Sequence, residues 1–95
     1  MSQETKQIFA NVWDALADTP EEAANLTLRS NLMEQITQIV KEAGWTQAEA
    51  AKQCGVTQPR INDLLRGRID RFSVDALVNI AAALGKRVTV SLEAA

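Results

Sequence analysis

Histidine and tyrosine are absent from these 95 residues, and cysteine occurs once. Without histidine there is no Ser-His-Asp or Cys-His nucleophile and no zinc site of the usual Cys/His type. The single thiol, Cys54, allows no disulfide within the chain. General acid–base work is left to carboxylates and lysines. These absences argue against an enzyme and against a metal or other cofactor. Long apolar runs are missing too: the most apolar stretch, residues 81–84, stops at Gly85, far short of a membrane span. The first fifteen residues are polar and mixed in charge, unlike a signal peptide. With one unpaired thiol, the expected compartment is a reducing cytoplasm.

What is present fits one small domain. A composition of 46% hydrophobic and 23% charged residues is that of an ordinary globular protein, which argues against wholesale disorder. The net charge of −2 argues at first against nucleic acid, because domains that bind it are usually basic. The average hides an asymmetry. Residues 1–50 carry eight acids against three bases, and residues 51–95 carry seven bases against four acids. Two faces that meet different partners would explain it.

Helix signals divide the chain. Ile8, Phe9, Val12, Trp13 and Leu16 recur at helical spacing and predict a short amphipathic helix within residues 1–18. There the large apolar Ile8, Phe9 and Trp13 serve either as a clamp on the core or as an anchor for a partner protein. Thr19-Pro20-Glu21-Glu22 combines a cap, a first-turn proline and a capping-box glutamate, and opens a long helix over 20–43 that Gly44 stops. Thr46-x-x-Glu49 is a second capping box, for a helix ended by Gly55. Thr57-Gln58-Pro59 begins another, over 58–66, closed by Gly67. Ser73 caps one more, which ends at Gly85.

The last segment is different. Residues 86–92 alternate polar and apolar positions and are rich in β-branched side chains, the pattern of a half-buried strand. A lone strand cannot satisfy its backbone or cover Val88, Val90 and Leu92. The preferred solution is the same strand from a second copy, paired antiparallel across a two-fold axis. The alternative is a tail lying on its own core. The expected organisation is an N-terminal segment (1–18), a helical domain (19–85) and a dimerisation strand (86–95).

The two short helices around Gly55 satisfy the steric demands of a helix-turn-helix. Ala51 is small where the helices cross, Gly55 suits a turn that needs positive φ, and Val56, Ile61 and Leu64 seat the second helix. Residues 46–67, TQAEAAKQCGVTQPRINDLLRG, resemble the motif of the Xre/Cro family of phage and bacterial repressors. The wider frame resembles the short HigA-type antitoxins. It includes NVWDAL at 11–16, Leu65-Arg66-Gly67-Arg68, Phe72-Ser73 and Leu84-Gly85-Lys86-Arg87-Val88, so the likeness spans residues 11–92. The resemblance implies an all-α fold, a five-helix lambda-repressor-like domain with a C-terminal strand that pairs across a dimer.

It also implies roles. In such motifs the second helix enters the major groove and its first residues meet the base edges. Gln58 then pairs with adenine and Arg60 with guanine, and Thr57 or Pro59 touches a thymine methyl. Asn62 faces outward beside them. Asp63 either accepts from a cytosine amine or orients Arg60 or Arg66. Gln47 opens the preceding helix and meets a phosphate, while Arg66, Arg68 and Arg71 supply countercharge. Pro59 departs from the commonest pattern of the family and disfavours a helical Gln58, which bears on the start of the helix. The implied function is a dimeric repressor on an inverted repeat of double-stranded DNA. By the same likeness it is the antitoxin of a small basic RelE/ParE-like toxin and represses their shared operon. A stand-alone repressor and a protein-interaction module on the same fold are the alternatives.

Overall fold

The computed structural model describes residues 18–94. It contains four α-helices, α1 (Pro20–Ala43), α2 (Gln47–Cys54), α3 (Gln58–Leu65) and α4 (Val74–Ala83), with a 3-10 turn at Ile69–Arg71 between the last two. All four begin on a hydroxyl cap. Thr19 accepts from the Glu22 amide, Thr46 from Glu49, Thr57 from Arg60 and Ser73 from Ala76. Each cap satisfies one of the amides that a helix start leaves without an internal partner. At Thr46 the box is complete, because the Glu49 carboxylate also accepts from the Thr46 amide at 2.9 Å.

The helix ends are equally local. Gly55 sits at φ +71°, where a side chain would be strained. The amides of Gly55 and Val56 turn back to the carbonyls of Lys52 and Ala51, the Schellman arrangement. Gly85 and Lys86 do the same at the end of α4, with Ala82 and Ala81. Pro59 takes the second position of α3 without displacing its start from Gln58.

α1 lies against α4, the 3-10 turn and α3, while α2 packs on α3 and α4. Ile61, Leu64, Phe72 and Leu77 are the largest fully buried side chains. On α1 the buried face is Ala23, Leu32, Met33, Ile36 and Val40. The helical spacing of Leu28, Leu32, Ile36, Ile39, Val40 and Ala43 predicts one apolar face, but Leu28 and Ile39 are only half-buried and Ala43 is exposed. Trp45 packs at the edge of the core. Cys54 is buried, and burial pushes its thiol pKa up, away from the reactive thiolate.

Two features differ from the expected fold. The described residues contain four α-helices rather than five, and the helix predicted around Ile8, Phe9 and Trp13 lies outside them. The C-terminal strand is not formed: residues 86–94 are neither helix nor strand. A strand exists only as one side of a hydrogen-bonded ladder, and no other described segment is extended to supply the second side. Val88 packs on the core, as a tail would, whereas Val90 and Leu92 are 66% and 98% exposed.

Candidate nucleic-acid interface

α2 and α3 pack on each other, and each buries a residue completely: Ala50 and Ile61 are both 0% exposed. Ala51 is buried as its spacing predicts, but Ala50 is buried more completely, and nothing in the motif pattern distinguishes it. Successive helical residues turn by about 100°, which puts Ile61 and Leu64 on the core side of α3. The opposite side carries Pro59, Asn62 and Arg66.

Exposure follows that geometry. Thr57, Gln58, Pro59 and Arg66 are exposed, and Asn62 is half-buried. Gln47, the first residue of α2, is exposed. Thr57 has a second task, since its hydroxyl caps α3 through the Arg60 amide at 3.4 Å.

Arg60 and Asp63 are engaged within the protein. The Arg60 guanidinium lies over the Phe72 ring, 4.2 Å from its centre, and donates to the Arg71 carbonyl at 2.7 Å. The Asp63 carboxylate pairs with Arg68 at 3.7 Å and with Arg71 at 3.5 Å. Those partners are not the Arg60 or Arg66 anticipated from sequence. Both arginines remain substantially open to solvent, with side chains 40% and 52% exposed, so the ion pairs themselves add little stability. Their consequence is positional: three cationic side chains of the motif and the loop after it sit around one carboxylate and one aromatic ring.

Sequence reasoning missed the anchor on the opposite side of this loop. Arg29, from α1, donates through Nη1 to the carbonyls of Ile69 at 3.0 Å and Phe72 at 3.3 Å. Its Nε donates to Asn25 one turn earlier, which orients the guanidinium. No local signal could have revealed it, because its acceptors are backbone groups 40 and 43 positions away. The 3-10 turn is therefore tied to α1 on one side and to α3 on the other.

Two short helices packed on each other, the first with buried alanines, joined by a left-handed glycine turn and followed by an arginine-bearing loop, make a helix-turn-helix. A family model described as a helix-turn-helix domain matches residues 15–93. The chain belongs to this helix-turn-helix family. The match covers all four helices and most of the tail, so the whole described unit, not the motif alone, conforms to the helix-turn-helix domain. Membership points to DNA-binding regulation. No curated protein gives a significant match. Among the described residues no helix is long and apolar enough to cross a membrane.

Proposed function

We propose that this helix-turn-helix protein is a sequence-specific transcriptional repressor that acts as a dimer on an inverted repeat. The observation that carries the reading is the exposed start of α3, where Gln58 and Pro59 stand clear of the core beside Asn62 and next to arginines of the following loop. Glutamine and asparagine amides can pair with adenine in two-point fashion, and arginines exchange counterions for phosphates. Gln47 and Arg66, both exposed, would meet the backbone.

Dimerisation is assigned to the C-terminal tail. Its backbone has no ladder and its Val90 and Leu92 are exposed, which is the state expected of a strand whose partner belongs to a second copy. Two recognition helices then span half-sites roughly 34 Å apart, or a multiple of that. Selection of bound sequences from random DNA tests DNA binding and symmetry together. An enriched inverted repeat is expected, and no enrichment would remove the reading. Val90→Glu with Leu92→Glu should halve the mass in light scattering while the helical circular dichroism is retained.

The antitoxin role is the finer part of the proposal. It rests on the likeness of residues 11–92 to the short HigA-type antitoxins and on a suitable surface. Glu21, Glu22, Glu34 and Glu42 of α1 are exposed along the helix, and their carboxylates would attract a basic RelE/ParE-like toxin. Co-expression with a basic neighbouring reading frame should yield a complex that high salt weakens, in a reducing cytoplasm where Cys54 stays a thiol.

A further inference from the structure

The first turn and a half of α3 divides into two sets of side chains. Gln58, Pro59 and Asn62 make no side-chain hydrogen bond or ion pair found among the described residues. Arg60 and Asp63 are occupied by the segment that follows the helix. The Arg60 guanidinium lies over Phe72, a ring only 2% exposed, and donates to the Arg71 carbonyl. A guanidinium is one rigid planar fork, so while it covers that ring and holds that carbonyl it is not extended toward a base edge. The angular positions agree: Arg60 falls on the flank of α3 nearer the core, whereas Pro59 and Asn62 lie on the far side from Ile61 and Leu64. Asp63 stands between the two sets and is turned to Arg68 and Arg71.

We propose that base reading is confined to Gln58, Pro59 and Asn62, and that Arg60 and Asp63 are positioning residues that hold the Arg68–Phe72 segment against the recognition helix. This rests on the DNA-binding reading above and assigns its specificity. Arg60 fixes the ring and carbonyl at the end of the 3-10 turn. Asp63 gathers Arg68 and Arg71 beside α3, where a phosphate of the same groove wall would meet them. Arg29 holds the same turn from the side of α1, so Arg60 needs only to set the orientation of the segment and not to create it.

The two roles separate in a binding profile measured over randomised sites for the full chain and for Arg60→Gln, Arg60→Lys, Asp63→Asn and Gln58→Ala. Arg60→Gln should weaken binding to every sequence by a common factor, roughly three- to tenfold, because a cation–π contact and a hydrogen bond are lost. Its base preferences should match those of the unmodified chain at every position. Arg60→Lys, which keeps a cation over Phe72, should recover part of the affinity. Asp63→Asn should leave the base preferences unchanged, whereas Gln58→Ala should flatten one position. Relaxed preference at a single position in Arg60→Gln or in Asp63→Asn overturns the assignment and leaves DNA binding intact, as does an Arg60→Gln chain with unaltered affinity. A chain that selects no sequence at all removes DNA reading and this assignment together. Thermal unfolding accompanies each variant. If Arg60→Gln fails to fold, Arg60→Lys and Asp63→Asn carry the same test.

Discussion

The helix-turn-helix segment and the C-terminal tail differ in where their backbone groups find partners. From Thr46 to Gly67 most bonds close within a few residues: Thr46 and Glu49 cap each other, Gly55 and Val56 return to Lys52 and Ala51, and Thr57 caps α3. Among the described residues from Lys86 onward, the Lys86 amide alone is bonded back, to Ala81, and the side chains of residues 89–94 are exposed. The motif can form its local structure without help from a distance. The tail carries an equally regular pattern, but pleated backbone needs a second strand, and the described residues 18–94 do not supply one. A periodic pattern thus states what a segment could become, and the nearness of its hydrogen-bond partners decides whether it does.

Substitutions should widen that difference in order of size. Leu77 is fully buried among the helices, so Leu77→Ala should cost about 2–5 kcal/mol in urea unfolding. Leu92→Ala, at a side chain 98% exposed, should change the stability of the dilute monomer by under about 0.5 kcal/mol. A comparable loss at Leu92 would mean that the tail is packed like the core.

Within the motif, Gly55→Ala should cost about 1–2 kcal/mol through its left-handed backbone alone, as the nearest atom to an added Cβ, that of Ala83, is at an ordinary 3.8 Å. Thr46→Ala should cost about 1 kcal/mol by removing a cap. Thr89→Ala, in the tail, has no cap to remove and should be silent in the same thermal scans. Equal effects at Thr46 and Thr89 would erase the distinction between the two regions.

The smallest effect is electrostatic. The Thr46 amide and hydroxyl hold the Glu49 carboxyl below its ordinary 4.5. A carboxyl whose folded pKa is depressed contributes stability that is complete above the unfolded value and fades as pH falls through the folded one. The melting-temperature gap between the unmodified chain and Glu49→Ala should therefore be constant from neutrality down to about pH 5.5 and narrow below 4.5. A gap independent of pH would show that the capping box acts without its charge.

Much of this was legible in the residues themselves. The boundaries of α1, the Thr46 box, the Gly55 turn and the cap at Ser73 were all written in neighbouring positions. The buried face of α1 was legible only in part, because spacing alone does not say how far along its length α1 is covered. Arg29 was invisible, and so was the pairing of Asp63 with Arg68 and Arg71.

By itself the sequence determined the helices, their caps and the type of motif, since each depends on groups a few positions apart. Tertiary structure decided the rest. It brought Phe72 under Arg60 and the Arg71 carbonyl within its reach, it set Arg29 behind the same turn, and it left Val90 and Leu92 uncovered. The physical reason is reach. A cap answers to the next turn of chain, whereas the direction of a long cationic side chain is set by whichever ring or carbonyl the folded backbone carries to it.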